Sequence, residues 1–303
     1  MRASKRTLEK LVVKPGEPAH LHHRDPAWDG GADFRPKSHK AAKAHARELL
    51  AGSVAELEEA QARLWSSDRN AVLVIFQALD AAGKDGTIRH VMSGVNPQGV
   101  EVTSFKQPSA EELAHDFLWR AVKALPQRGR IAIFNRSYYE EVLAVRVHPE
   151  WLERQHLGDG PFPDDFWQER FESINAFERH LQHNGTKVVK LFLHVSKEQQ
   201  RKRLLARLDD PAKVWKFSAD DVAERARWDE YVNAFEDAIS ATSTSSAPWF
   251  VIPADDKPLM RALAAAVIVE AIDSLKPRRP KVSAEQRSAN QRARRELEQQ
   301  KPG

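Results

Sequence analysis

A short stretch after the most apolar run of the chain has the residue types of a phosphate-binding turn. The run Val72-Leu-Val-Ile-Phe76 is soon followed by Asp80-Ala-Ala-Gly-Lys-Asp-Gly-Thr87, in which two glycines flank a lysine. A buried parallel strand, a turn of small residues and a helix N-terminus would bring backbone N–H groups and the lysine ammonium to one point. Such a point suits the oxygens of a phosphate chain.

This turn departs from the usual phosphate-loop pattern at two positions. Ala78 stands where the first glycine is expected, and Asp85 replaces the Ser or Thr that normally follows the lysine. An ordinary strand-to-helix turn with a surface lysine is therefore the alternative. Asp80 favours the phosphate site, because a carboxylate inside an anion-binding turn is unfavourable unless a cation accompanies it. We predict that Asp80 is a ligand of Mg²⁺.

Further polar and charged residues follow the other predicted strands. They are Lys106 after the second strand, Asn135, Arg136 and Glu140 after the third, and Arg207, Lys213 and Lys216 beyond the fourth. Ligands of open α/β sheets bind beyond the carboxyl ends of the strands, so we expect these residues to gather around Asp80. Phosphoryl transfer needs this arrangement, since its chemistry is mostly positioning and neutralisation of oxygens.

Each of these interpretations has a structural alternative. The arginines 201, 203 and 207 could form a solvated helix face, although the polar segment containing Trp215 suits a lid over residues 201–220. Glu140 could be a helix-surface residue, and Asn135 could simply cap the turn after its strand. No Ser-His-Asp arrangement or HExxH motif offers a competing chemistry.

The elements that must position these residues alternate along the chain. Strands are predicted at 71–76, 100–105, 131–134, 187–193 and 249–252, and helices at 37–65, from about 85, at 109–125, at 165–183, from 196 and at 257–275. This alternation predicts one doubly wound α/β domain at 37–275. An irregular N-terminal arm at 1–36 would precede it, and a basic C-terminal tail at 276–303 would follow.

Composition excludes several classes of function. Of the 303 residues none is cysteine, which excludes disulfides and thiolate metal sites. The formal net charge is +4, but nine Lys or Arg and three Glu lie between 276 and 301, so the excess comes from the tail and gives little support to a nucleic-acid-binding body. No signal peptide or membrane-length apolar run is legible, so we expect a soluble, cytoplasmic protein.

Five motifs together resemble the polyphosphate kinase 2 family. They are Asp80-Ala-Ala-Gly-Lys-Asp-Gly-Thr87, Val95-Asn-Pro-Gln-Gly99, Phe134-Asn-Arg-Ser137, Asp209-Asp-Pro-Ala-Lys-Val-Trp-Lys-Phe217 and Ala247-Pro-Trp-Phe-Val-Ile-Pro253. They occur in the family's order over roughly residues 35–275. The resemblance implies a three-layer P-loop kinase fold similar to thymidylate kinase, with a central parallel five-stranded sheet and a helical lid. It also implies Mg²⁺-dependent transfer of phosphoryl groups between inorganic polyphosphate and a nucleotide.

The resemblance also implies roles for individual residues. Asp80 matches the magnesium-binding carboxylate, Lys84 the phosphate-loop lysine, Arg136 the arginine after strand three and Arg207 a lid arginine. Residues implied to bind nucleotide or phosphate are Ala82, Gly83, Asp85, Gly86, Thr87, Lys106, Asn135, Lys213 and Lys216. Glu140 is expected to assist the metal through water.

Two departures from the family pattern bear on the acceptor. Many members have Asp where Asn135 stands and Gly where Asp85 stands, and the variants found here resemble the branch that phosphorylates both AMP and ADP. We therefore predict polyphosphate and adenine nucleotides as partners, and a homo-oligomer without membrane or nucleic-acid partners. An ATP-dependent kinase of a nucleotide or other small acceptor, and a non-enzymatic polyanion-binding protein, remain the alternatives.

Overall fold

The chain forms a parallel sheet with helices on both faces. This computed structural model describes residues 3–31, 39–155, 157 and 162–300. The strands are β1 (Ala71–Gln77), β2 (Val100–Ser104), β3 (Ile131–Asn135), β4 (Thr186–His194) and β5 (Trp249–Pro253). Their order in the sheet is β2-β3-β1-β4-β5, and every pairing is parallel.

The helices alternate with these strands along the described chain. They are α1 (Lys5–Leu11), α2 (His39–Ser67), α3 (Lys84–Val91), α4 (Ala110–Leu113), α5 (Trp119–Lys123), α6 (Ala144–Val147), α7 (Phe166–His183), α8 (Lys197–Leu208), α9 (Asp220–Ala226), α10 (Trp228–Thr242), α11 (Lys257–Ser274) and α12 (Ala284–Gln299). Two short 3-10 helices at Tyr138–Val142 and Val214–Lys216 also belong to the site region.

Burial explains the layers. Every residue of β1 is buried, as expected for the central strand of a parallel sheet covered on both faces. Helix α11 packs on α2 and α3, and its run Ala262–Val269 is buried because alanines allow close approach. On the other side α7 contacts β4 and α10. The predicted three-layer α/β fold with a five-stranded parallel sheet is confirmed.

Two local predictions were wrong. The N-terminal arm is not wholly irregular, because Ser4 caps α1 by accepting from Thr7 N, and Leu8 and Leu11 are buried. Residues 109–125 do not form one helix. The predicted capping box of Ser109 is present, but Asp116 Oδ1 accepts a hydrogen bond from Leu118 N at 2.9 Å and starts a new turn before α5.

Part of the predicted basic tail forms a solvent-exposed helix. Residues 284–299 form α12, which has no buried residue and begins at Ser283, whose side chain accepts from Gln286 N. Within the described part of the chain, no helix combines the length and apolarity needed to span a membrane. The bounds predicted for the strands hold to within one residue.

Candidate active site

The turn after β1 is held in an unusual backbone conformation. Gly83, the residue before α3, has φ +106°, and Ala81 has φ +57°. A Cβ on Gly83 would lie 3.3 Å from Met260 Cε, so both the positive φ and the close neighbour favour glycine here. The predicted strand, small-residue turn and helix therefore follow one another as the phosphate-loop pattern requires.

Lys84 begins α3 and folds back over the turn. Its Nζ donates to the carbonyl oxygen of Ala78 at 2.7 Å. Burial, and then the charge of Arg136, lower the pKa of the Lys84 ammonium to about 8, although Asp80 partly opposes them. Lys84 is thus mainly protonated at neutral pH, and an approaching phosphate would favour the charged form further.

Two side chains of α8 hold three consecutive carbonyl groups of this turn. Gln200 Nε2 donates to the carbonyl of Asp80 at 3.0 Å, and Arg203 Nη1 donates to those of Ala81 at 3.3 Å and Ala82 at 2.6 Å. The C=O and N–H groups of one planar peptide unit point in opposite directions. The three hydrogen bonds to carbonyl groups therefore also fix the orientation of the N–H groups in the same peptide units. The turn is therefore preorganised by neutral and cationic donors behind it.

The same guanidinium group of Arg203 also reaches the loop after β5. Its Nη2 donates to the carbonyl oxygens of Ala254 at 2.5 Å and Asp255 at 3.1 Å. Burial lowers the pKa of Arg203 from its usual value. Arg203 therefore acts as a bridge between two loops at the carboxyl edge of the sheet.

Arg136 links the carboxylates of Asp80 and Glu140. Its Nη2 lies 2.7 Å from Asp80 Oδ1, and its Nη1 lies 3.4 Å from Glu140 Oε2. Glu140 raises the pKa of Arg136 most, and Asp80 raises it further, although burial opposes them. The sequence analysis predicted that a cation accompanies the carboxylate of Asp80. Within the chain, the guanidinium group of Arg136 is such a cation.

A buried network supports the segment that carries Arg136 and Glu140. Glu178 Oε1 accepts from the hydroxyl groups of Tyr138 at 2.9 Å and Tyr139 at 2.8 Å. Lys190 Nζ donates to Glu178 Oε2 at 2.6 Å, and both side chains are almost fully buried. The network fixes the 3-10 helix Tyr138–Val142. Arg136 immediately precedes Ser137, the N-cap residue of this helix.

Arg136 itself has φ +63°. For a residue other than glycine this backbone region costs on the order of 1–2 kcal/mol. Its N–H donates to Phe76 O at 3.1 Å, which ties the strained residue to the end of β1. This backbone conformation directs the side chain of Arg136 towards Asp80, which lies three residues beyond the end of β1.

The unusual pair Asp85 and Asn135 is in direct contact. Asn135 Nδ2 donates to Asp85 Oδ1 at 2.9 Å and lies 3.4 Å from Ser104 Oγ. The amide thus joins the ends of β2 and β3 to the start of α3. An Asp at position 135 would place two carboxylates together, so the Asn and the Asp at these positions are mutually compatible.

A cleft separates the strand ends from a helical wall formed by Gln200 of α8 and by residues of α9 and α10, which follow the predicted lid at 201–220. Its walls include Asp80, Arg136 and Glu140 on the sheet side and Asp221 and Tyr231 on the helical side. Burial raises the pKa of Asp221 and of Tyr231. The cleft is therefore a partly desolvated site in which charges interact strongly.

Arg207 reaches this cleft only indirectly. Its Nη1 lies 3.0 Å from Asp221 Oδ2, which is one of the cleft carboxylates. Lys213 forms an ion pair with Asp210, and the side chain of Lys216 lies outside the described part of the structure. The structure therefore brings Asp80, Lys84, Arg136 and Glu140 together and leaves these cations on the lid side.

The remaining predicted residues occupy different positions. Thr87 is fully buried and its Oγ1 donates to Gly83 O at 2.9 Å, so its hydroxyl closes the first turn of α3. Lys106 has an exposed side chain, while its carbonyl oxygen accepts from Arg120 Nη1 at 2.8 Å. The binding roles of these residues stay predictions.

The donor set suits magnesium. No group of three or more His, Cys, Asp or Glu side chains that could hold a metal occurs in the ranges that the structure describes. Mg²⁺ is usually held by one or two carboxylates together with substrate phosphates and water. Asp80 and Glu140, which face the two terminal nitrogens of one guanidinium group, offer that kind of oxygen ligand.

Gln200, Arg203 and Asp221 were not predicted as site residues. In the sequence Arg203 is one of a run of arginines, and its only further signal is the three-residue spacing from Gln200 on a helix. Asp221 follows the polar lid segment, without a motif of its own.

A parallel sheet with a glycine-lysine turn, clustered arginines and a helical lid defines a P-loop phosphotransferase. A family model described as Polyphosphate kinase 2 matches residues 40–280. The chain belongs to the polyphosphate kinase 2 family.

Relatives and solved structures agree with this assignment. The chain is 54% identical over 246 residues to an ADP-polyphosphate phosphotransferase of Rhodopseudomonas palustris, covering 81% of this chain and 85% of the relative. It is 43% identical over 272 residues to an AMP/ADP-polyphosphate phosphotransferase of Meiothermus ruber, covering 88% and 94%. The crystal structure of Polyphosphate Kinase 2 from Arthrobacter aurescens is similar with a TM-score of 0.83 and 38% identity, covering 95% of this chain and 97% of that one.

Proposed function

We propose that this protein transfers phosphoryl groups between inorganic polyphosphate and AMP or ADP, giving ADP or ATP, with Mg²⁺. The observation that carries the proposal is the arrangement of Lys84, Arg136 and Asp80 at the ends of β1 and β3. The names of the similar proteins from Rhodopseudomonas palustris and Meiothermus ruber support the same substrates.

Side chains of the phosphate-binding turn and of the strand ends supply positive charge for the transfer. The ammonium of Lys84 and the guanidinium of Arg136 neutralise oxygens of the transferred group and of the donor chain. Arg207 joins them when the lid closes, after exchanging Asp221 for a phosphate oxygen. Asp80 and Glu140 would hold Mg²⁺, which when bound neutralises further phosphate charge and orients the reacting groups.

The acceptor needs little activation. Its attacking atom is an oxygen of a terminal phosphate, which is already ionised at neutral pH, so no strong general base is required. In the transfer, this oxygen forms a bond to the terminal phosphorus of polyphosphate, and the bridging oxygen leaves with its electron pair on the shortened chain. The desolvated cleft excludes water that would otherwise accept the group.

A time course with pure protein, polyphosphate, Mg²⁺ and AMP tests the proposal. We expect ADP first and ATP later, because the relative from Meiothermus ruber is named for both AMP and ADP and the Asp85–Asn135 pair resembles the dual-acceptor branch. If ADP accumulates in excess polyphosphate and is not converted to ATP, the prediction that both AMP and ADP are acceptors is excluded. Transfer from ATP but never from polyphosphate would favour an ATP-dependent kinase.

Two broader expectations remain predictions of the sequence. They are a cytoplasmic location and assembly into a homo-oligomer. A non-enzymatic polyanion-binding role through the tail would be excluded if a protein lacking residues 277–303 keeps its phosphotransfer activity. Size-exclusion chromatography with light scattering measures the oligomeric state directly.

A further inference from the structure

His148 lies behind the helical wall of the cleft and has no part in the transfer described above. It is the residue at which α6 ends, and its side chain is only 13% exposed. Its Nε2 lies 3.0 Å from Glu224 Oε1 of α9. Glu224 lines the same cleft as Asp80. The imidazole therefore contacts a carboxylate that faces the space for the substrates.

The carboxylate of Glu224 also holds Tyr231, another residue of the cleft wall. The hydroxyl group of Tyr231 donates to Glu224 Oε2. Burial raises the pKa of Tyr231, and the hydrogen bond to Glu224 raises it further, so the phenol keeps its proton and remains a donor. A displacement of Glu224 must therefore move Tyr231 or break this bond.

Nδ1 of His148 has two neighbours that make opposite demands on it. Glu150 Oε1 lies 3.1 Å away and can only accept a hydrogen bond, whereas Arg227 Nη1 lies 2.9 Å away and can only donate one. A protonated Nδ1 donates to Glu150, and an unprotonated Nδ1 accepts from Arg227. The two bonds exclude each other, so the proton on Nδ1 decides which of them forms.

The charged imidazole would act in opposite directions on one turn of helix. Its charge attracts Glu224 and repels Arg227, yet the backbone N–H of Arg227 donates to Glu224 O at 3.1 Å. Arg227 is the residue at which α9 ends and α10 begins, and its Nη2 is held by Glu230 Oε2 at 2.6 Å. A proton on Nδ1 therefore strains the corner between the two helices.

The charged and titratable groups around His148 come from three elements. They are Glu150 of the 3-10 helix Pro149–Gln155, Glu224 and Arg227 at the end of α9, and Glu230 and Tyr231 of α10. Trp151 stacks on one face of the imidazole, with 4.4 Å between the ring centroids. Histidine is the side chain that ordinarily changes charge between about pH 5 and 8, so the balance among these groups shifts within that range.

We propose that His148 is a pH-sensitive positioning residue for the helical wall of the cleft. In its neutral form it donates from Nε2 to Glu224 and accepts at Nδ1 from Arg227, which holds the end of α9 and the start of α10 in place. A proton taken up from water at Nδ1 replaces the bond to Arg227 by one to Glu150 and loosens the corner. The proposal rests on the proposed function, because the wall matters only if the cleft carries out the transfer.

Amide hydrogen exchange without substrates tests the switch directly. The N–H groups of Arg227 and Tyr231 close the corner by donating to Glu224 O and Arg227 O. After correction for intrinsic rates, they should exchange about three- to tenfold faster at pH 6 than at pH 8, as expected for one lost hydrogen bond. In His148→Gln, which keeps a donor towards Glu224 and cannot become charged, the two rates should be equal. Equal rates in the unaltered protein, or an undiminished difference in His148→Gln, would overturn the proposal.

Two further variants make the test independent of the folding of His148→Gln. Arg227→Gln keeps a donor for Nδ1 and removes the repelling charge, so the difference in exchange between pH 6 and pH 8 should shrink. His180→Gln is the matched control, because His180 is an exposed histidine of α7. It should show the same difference as the unaltered protein. An undiminished difference in Arg227→Gln, or its loss in His180→Gln, would contradict the switch.

Kinetics connect the switch to the transfer. Between pH 7.5 and pH 6, kcat/KM of the unaltered protein should fall about two- to fivefold more than that of His148→Gln. The terminal phosphate of the acceptor also takes up a proton in this range, but it does so equally for both proteins. An equal fall in both proteins would overturn the positioning role. If no protein transfers from polyphosphate but the exchange difference is present, the proposed function fails and the switch stands.

Discussion

Gln200 Oε1 accepts a hydrogen bond from Arg225 Nη1 at 2.7 Å, while Gln200 Nε2 donates to the carbonyl oxygen of Asp80 at 3.0 Å. Arg225 belongs to α9, so one side chain connects the helical side of the cleft to the phosphate-binding turn. A displacement of α9 must break the first bond or move Gln200. The position of α9 and the shape of the turn are therefore mechanically coupled.

This connection predicts non-additive kinetics. Gln200→Leu and Arg225→Met should each lower kcat/KM, and the double variant should lose less than the product of the two effects, with a coupling energy on the order of 1 kcal/mol. Arg201→Met is the control, because Arg201 is an exposed residue of the same helix that pairs with Glu198. Additive losses would show that the turn does not respond to α9.

Asp80→Asn should lower kcat by about 10²–10³-fold while the protein stays folded, because the change removes one charge and keeps the side-chain size. Activity against Mg²⁺ concentration is the decisive measurement. The half-saturating concentration should rise if Asp80 holds the metal. Near-normal turnover and an unchanged metal requirement would leave Asp80 only as a partner of Arg136.

Lys84 predicts a pH dependence. Because the pKa of the protein-bound ammonium is about 8, kcat/KM for polyphosphate should fall as pH rises through that value and the positive charge is lost. In Lys84→Arg, whose charge persists, this basic limb should disappear even if the rate is lower. A limb that stays near pH 8 in the arginine variant would assign the titration to another group.

Arg203→Ala should lower kcat/KM by about 10–100-fold, because several charge-assisted hydrogen bonds to loop carbonyls are lost. Arg203→Lys should recover little, since one ammonium cannot reach both loops. Added guanidinium should restore part of the activity of the alanine variant and none to the lysine variant. Equal absence of rescue in both variants would mean that Arg203 does not act by positioning the turn.

The buried pair beneath Arg136 predicts a stability effect. Lys190→Met leaves the Glu178 carboxylate unpaired and should lower the free energy of unfolding by about 3–5 kcal/mol. Lys190→Met/Glu178→Gln removes both charges and keeps an oxygen for the hydroxyls of Tyr138 and Tyr139, so it should be more stable than the single variant. Urea unfolding measures both. A double variant no more stable than the single one contradicts this account.

Much of the fold follows from local patterns. The strand bounds could be predicted because a continuous apolar run such as 72–76, in a chain that is otherwise polar, must be buried. The division of 109–125 into α4 and α5 could not, since it depends on one Asp116 hydrogen bond that competes with helix continuation. The order of the strands in the sheet was not predicted, because it depends on pairing between strands that are distant in the chain.

The site also contains residues that could be predicted from the sequence and residues that could not. Asp80, Lys84 and Arg136 have positions fixed by strand ends, and their chemistry is visible in their residue types. Arg203 is different, because Arg201 on the same helix makes an exposed pair with Glu198, and only the packing of α8 distinguishes the two arginines. Tertiary contacts of this kind have no short-range signature in the sequence.

The pairing of Arg136 with Asp80, and of Arg207 with Asp221, bears on how products leave. A polyanion held by unopposed arginines would dissociate slowly, because each departing phosphate would expose a bare charge. Here a carboxylate stands beside each guanidinium, and we expect it to take the place of a phosphate oxygen as the phosphate departs. We therefore expect dissociation to proceed as an exchange of anions, which would allow a shortened chain to be replaced by a fresh one between successive transfers.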